Sequence, residues 1–113
     1  MSAYCPDAGD IIWLDFDPVL GNEQAGRRPA IVLSARAFNE MTGRCVACPI
    51  TNTVRGWTFE VMVPAGMAIK GTIMADQVRA LSWRARGAEL AAAAPPELLD
   101  DVRARLAALI GVD

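Results

Sequence analysis

Histidine is missing from this chain altogether. With it go the commonest general acid–base and the commonest transition-metal ligand. Any catalysis must therefore come from Glu, Asp, Arg, Lys, Tyr, Ser, Thr or Cys. Long apolar runs are missing too: no stretch of about 18 apolar residues occurs, so no membrane span is expected. The first ten residues, MSAYCPDAGD, carry neither the basic nor the apolar region of a secretory signal. Cysteine is scarce and odd in number (Cys5, Cys45 and Cys48), which argues for reduced thiols in a cytoplasmic protein rather than a disulfide framework. There is no Walker loop, no G-x-S-x-G elbow and no H-E-x-x-H helix, which removes the motif-based routes to nucleotide hydrolysis, serine catalysis and zinc proteolysis.

What is present fits one domain spanning residues 1–113, with 53% hydrophobic and 21% charged residues, enough for a single core. The net charge of −2 gives no overall basic footprint for collecting nucleic acid. The charges are unevenly spread, however. Arg27, Arg28, Arg36, Arg44, Arg55, Lys70, Arg79, Arg84 and Arg86 lie in the middle, while acids gather at the start (Asp7, Asp10, Asp15, Asp17) and near the end (Glu97, Asp100, Asp101, Asp113). A fold that collects the central cations on one face would make a local positive groove; otherwise they are a solvated scatter.

The hydrophobic pattern predicts a chain of short strands closed by one helix. Residues 10–16 (DIIWLDF) read as a strand with Ile12, Leu14 and Phe16 on one side, ended by Asp17-Pro18. Residues 17–28 (DPVLGNEQAGRR) form a loop long enough to be functional. Further strands are expected over 29–34, 44–50 (stopping near Pro49), 57–63, 71–75 and 77–83, with a short helix over 35–42 closed by Gly43. Strict alternation in 57–63 puts Trp57, Phe59, Val61 and Val63 inward and Thr58, Glu60 and Met62 outward. Pro95-Pro96 opens the last helix, whose apolar stripe is Leu98, Leu99, Val102, Leu106, Leu109 and Ile110, with Gly111 at its end. One amphipathic helix after several strands predicts a mainly β (α+β) fold, a small antiparallel barrel with a C-terminal helix.

Four constellations could carry chemistry. Cys45 and Cys48 match C-x-x-C, but three residues apart on a strand they point to opposite faces, and nothing completes a zinc site, so they read as small buried apolar residues. Glu23 and Arg27-Arg28 flank Gly26, where backbone can approach a ligand, though a plain surface ion pair has the same composition. Thr51, just past a strand end in Pro49-Ile50-Thr51, can hold a phosphate or cap a turn. Trp13 stands opposite Ile12 and Leu14, where it can meet a ligand or a subunit; Trp57 reads as core.

Taken in order, PDAGDIIWLDF, DPVLGNEQAGRRPAIVLS, CPITN, GWTFEV and ADQVRALSWRARGA resemble the MazF/PemK family of toxin endoribonucleases over nearly the whole chain, closest to the MazF branch. The most specific parts are G-x-E-Q-x-G-x-R-P at 21–29, P-x-T at 49–51 and A-D-Q-V at 75–78. The resemblance implies an SH3-like barrel of the MazF/Kid/CcdB kind and a homodimer. It also implies a type II toxin that cuts single-stranded mRNA at specific sequences without a metal or other cofactor. The products would be a 2′,3′-cyclic phosphate and a 5′-hydroxyl, and the consequence arrested translation and growth. The family's catalytic glutamate, arginine and threonine fall on Glu23, Arg28 and Thr51. Candidates for RNA contact are Trp13, Asn22, Gln24, Arg27, Asn52, Arg55 and Arg86. Cleavage sites containing ACA, common among relatives, are carried over only loosely. The implied partner is a MazE-like antitoxin whose acidic disordered tail competes for the same groove as the RNA. Two rivals share the architecture: a CcdB-type gyrase poison, which needs no Glu-Arg-Thr set, and a non-catalytic RNA-binding module.

Overall fold

The computed structural model describes residues 4–16 and 26–112. Much of the loop expected over 17–28, with Asn22, Glu23 and Gln24, lies outside the described residues. In chain order the elements are β1 (Asp10–Asp15), β2 (Arg27–Val32), α1 (Arg36–Thr42), β3 (Arg44–Thr51), β4 (Glu60–Met62), β5 (Thr72–Met74), β6 (Arg79–Ser82), β7 (Glu89–Ala93) and α2 (Pro96–Ile110). A single 3-10 turn, Ala75–Gln77, links β5 to β6.

All strand pairs are antiparallel, running β4-β5-β3-β2-β1-β7 with β6 also paired to β3. The expected antiparallel β architecture with a C-terminal helix is therefore present, but among the described residues the sheet curls without closing into a barrel. The central strands are buried on both faces. One layer joins Ile11, Ile31, Cys48, Ile50, Val61 and Ile73 to Leu98 and Val102 of α2. The other joins Ile12, Leu14, Phe16, Ala30, Val32, Cys45 and Ala47 to Leu81 and Trp83. Cys45 and Cys48 thus sit in different layers, free and buried, as strand geometry requires. Burial pushes their thiols up, to about 11 and about 12, so neither is a ready nucleophile.

Prolines placed the expected strand ends wrongly. β3 runs through Pro49 to Thr51 because it changes partner there: one flank pairs with β6 over Arg44–Ala47 and with β5 only from Ile50. A residue with no N–H to give suits that gap in the ladder. β2 likewise starts at Arg27, two residues before the expected start, and Pro29 falls where β2 pairs with β1 but not yet with β3.

The strand expected over 57–63 shrinks to Glu60–Met62. Trp57, read as core, is 46% exposed, its ring edge-on to Phe59. Glu60, read as outward, is 8% exposed. Its carboxylate accepts backbone N–H bonds from Arg55 (3.0 Å) and Gly56 (2.9 Å), which ties down the chain before β4 and leaves Trp57 outside. β7 was not expected at all. Its sequence, ELAAA, lacks β-branched residues, and it is held by pairing with β1 across an irregular register.

Candidate active site

The strand registers determine which side chains meet. β2 and β3 pair Ala30 with Pro49, Ile31 with Cys48 and Val32 with Ala47. Just beyond the Ala30–Pro49 pair, Arg28 of β2 and Thr51 of β3 line the same surface. Both line one open cavity of about 630 Å³, together with Trp13, Arg27, Asn52, Thr53 and Lys70. Both also line a smaller cavity of about 210 Å³ with Arg55 and Gln77. Arg28, Thr51 and Thr53 are common to the two, so they form the ridge between adjoining hollows. Among the described residues no carboxylate lines either one. The described charged side chains of the two hollows are thus all cationic although the chain carries −2 overall, and such side chains attract anions.

Each neighbour has a structural reason for its position. Trp13 is half-buried on β1, opposite Pro29 in the register, and packs against the core layer that contains Ile11. The Thr51 hydroxyl accepts a hydrogen bond from the Thr53 backbone N–H at 3.2 Å. That contact occupies a lone pair and leaves the hydroxyl proton to donate outward. Glu60 fixes the backbone of Arg55 from behind.

The remaining cations named from the sequence are held differently. Arg27 lines the larger hollow, but its guanidinium spans Asp15 (3.0 Å) and Glu89 (2.9 Å), and also donates to the carbonyls of Gly87 and Trp13. Those partners, Asp15 first, raise its pKa further. It clasps β1, β2 and β7 together. Arg86 lines neither hollow. It donates to the carbonyls of Asp15 (3.0 Å) and Phe16, and borders a separate depression with Arg44 and Ser82. It therefore anchors the end of β1, where the undescribed segment departs. Among the described residues no group of three or more metal-ligating side chains exists.

The sequence reading overlooked three polar lining residues: Thr53, Lys70 and Gln77. Thr53 had a usable signal, since it follows Thr51 by two residues and so shares its side of an extended chain. Lys70 had none, because 64–71 shows no period. Its neighbour Gly71 explains the placement. Gly71 has φ +132°, and a Cβ there would lie 2.5 Å from the Thr51 carbonyl oxygen. The chain thus packs directly on the backbone of Thr51. Gly71→Ala is expected to destabilise the fold by on the order of 2–3 kcal/mol through backbone strain and collision. Gly66→Ala, also at positive φ but with nothing near its Cβ, should cost about 1 kcal/mol. Urea midpoints of the two variants check this; equal losses would remove the Gly71–Thr51 contact as a constraint.

Comparison with known proteins agrees with this geometry. The family described as PemK-like, MazF-like toxin of type II toxin-antitoxin system matches residues 7–110. The chain is 47% identical over 111 residues to the endoribonuclease toxin MazF of Escherichia coli strain K12, covering 98% of this chain and 99% of that one. It is 31% identical to Escherichia coli endoribonuclease PemK, covering 92% of this chain and 81% of the relative. Among solved structures, MazF of Deinococcus radiodurans superposes with a TM-score of 0.89 at 48% identity, covering 97% of this chain and 100% of that one. A MazE–MazF complex from the same organism gives 0.91 at 46% identity, with the same coverage.

Proposed function

The chain belongs to the PemK/MazF family of type II toxins, and from that premise we propose that it is a sequence-specific endoribonuclease whose chemistry rests on Glu23, Arg28 and Thr51. The observation that carries the reading is the meeting of Arg28 and Thr51 on the ridge between two hollows whose described charged side chains are all cationic. A gyrase poison has no use for that pair.

The reaction needs little from the protein, because RNA brings its own nucleophile. The 2′-oxygen bonds to phosphorus and its proton passes to the Glu23 carboxylate. The bond from phosphorus to the 5′-oxygen breaks, and that oxygen takes up a proton from water to leave as a 5′-hydroxyl. A 2′,3′-cyclic phosphate stays on the other fragment. Arg28 places a planar fork of donors on the non-bridging oxygens, where negative charge builds. With a pKa above about 12 it is a poor proton donor, so its role is charge stabilisation. Thr51, its lone pair taken by Thr53, donates to the same phosphate.

Unpaired bases stack and are read at their edges. Trp13, Asn52 and Arg55, which border the two hollows, suit that role. Asn22 and Gln24 belong to the same proposal. Arg27 would touch RNA with donors left over from its clasp, and Arg86 would meet RNA only beyond the hollows. The working unit is a homodimer of single-domain chains; Leu109, Ile110 and Val112 stay exposed together at the end of α2, apolar surface available for association. The toxin is silenced by a MazE-like antitoxin whose acidic tail occupies the positive hollows, and it acts in the cytoplasm. No helix among the described residues is long and apolar enough to cross a membrane.

The test is incubation of purified protein with single-stranded RNA in excess EDTA. Cleavage with cyclic-phosphate ends is expected, and end-mapping then gives the recognition sequence. Binding without cutting would leave an RNA-binding module; neither binding nor cutting would return the gyrase poison to first place.

A further inference from the structure

We propose that Lys70 is a phosphate anchor of the RNA groove, holding a backbone phosphate beside the one that is cut. The inference rests on the RNA-cleaving reading and adds a residue to it. Lys70 lines the larger hollow with Thr51 and Asn52. Its ammonium differs electrostatically from the guanidinium of Arg27. Arg27 faces two carboxylates, whereas Lys70 makes no ion pair with any described residue and is exposed. The charge of Arg27 is thus largely answered within the protein, and that of Lys70 is available to an anion.

Position supports the same assignment. Lys70 lies between two fixed points. Ile69 on one side is 7% exposed in the core layer shared with α2. Gly71 on the other sits on the Thr51 carbonyl, with its own carbonyl accepting from the Val63 N–H at 3.0 Å. The backbone that carries Lys70 is therefore referenced directly to Thr51, while the four-carbon stem leaves the ammonium adjustable. A point charge on a flexible stem suits a phosphodiester held for position, not for its transition state. Phosphate recurs at every nucleotide whatever its base, so a lysine here contributes affinity and register without reading sequence.

The experiment compares wild type, Lys70→Gln and Lys70→Arg. Wild type is first shown to cut RNA and its site mapped. Binding to the same strand, with a 2′-deoxy nucleotide at the mapped site to block cleavage, is then followed by fluorescence anisotropy over a range of KCl. Lys70→Gln should weaken binding about tenfold at low salt. It should also flatten the slope of log Kd against log salt by about 0.7, the value for one lost phosphate contact on a single strand. Lys70→Arg should restore both. An unchanged slope in Lys70→Gln would overturn the assignment even if affinity fell, because a packing or folding defect does not alter counterion release. If wild type neither binds nor cuts RNA, the reading beneath this inference fails first and takes the inference with it.

Discussion

With Glu23 replaced by glutamine, single-stranded RNA should bind nearly as well as before and be cut about 10²–10⁴-fold more slowly, the contribution of a matched general base. Glutamine keeps the size of the side chain and one acceptor oxygen but cannot take the 2′-proton. It also removes a negative charge from beside a polyanion, which if anything helps binding. The loss must therefore fall on kcat. The pH profile tests the same assignment independently. A carboxylate works as a base only when ionised, so the wild-type rate should rise with pH up to the pKa of Glu23 and then level off. An ordinary glutamate titrates near 4.3. Any environment that disfavours the charged form raises that value and moves the rising limb to higher pH. The limb should vanish in Glu23→Gln. A wild-type rate flat from pH 5 to 8, together with a glutamine variant of full activity, would leave the 2′-oxygen without Glu23 as its base.

The sequence announced the elements whose pattern has one period and one buried face. α1 ends at Gly43 and α2 starts at Pro96 and ends at Gly111 as read, both glycines left-handed. β1 keeps Ile12, Leu14 and Phe16 together in one layer and Trp13 apart from them, as alternation demands. Legibility failed where local signals were overruled by pairing. Pro29 and Pro49 looked like strand ends and instead sit inside strands at gaps in the ladder. Trp57 alternated as a core residue, yet the buried carboxylate of Glu60 drew the preceding backbone inward and left the ring outside. β7 is alanine-rich and is a strand only because β1 offers it an edge.

The candidate site was less legible still. Glu23, Arg28 and Thr51 were singled out by family resemblance, since no spacing along the chain says that residues 28 and 51 are neighbours. The fold supplies that step, by placing both in the lining of the same two hollows, and it does so without reference to any relative. Lys70 was not legible in the sequence at all. It belongs to a segment without a period, and only the close approach of Gly71 to Thr51 gives its position a cause.

Arg28→Ala is the second large effect, a fall in kcat of about 10²–10³ with a much smaller change in KM, comparable to removing a donor from an oxyanion hole. The split follows from the chemistry. In the ground state the phosphodiester carries one negative charge, which several cations of the groove can share. As the 2′-oxygen adds, charge accumulates on the non-bridging oxygens, and a fork aimed at them gains more than the diffuse field does. Arg28 is exposed, so its truncation should leave the fold and its urea midpoint nearly intact. Arg28→Lys separates charge from shape: it keeps the cation and loses the planar pair of donors, so it should recover only part of the rate. Equal losses in kcat/KM and in affinity for the uncleavable strand would mean that Arg28 only binds. Full activity in Arg28→Ala would remove it from the reaction, and with it the argument that joins the ridge between the two hollows to the cleavage of RNA.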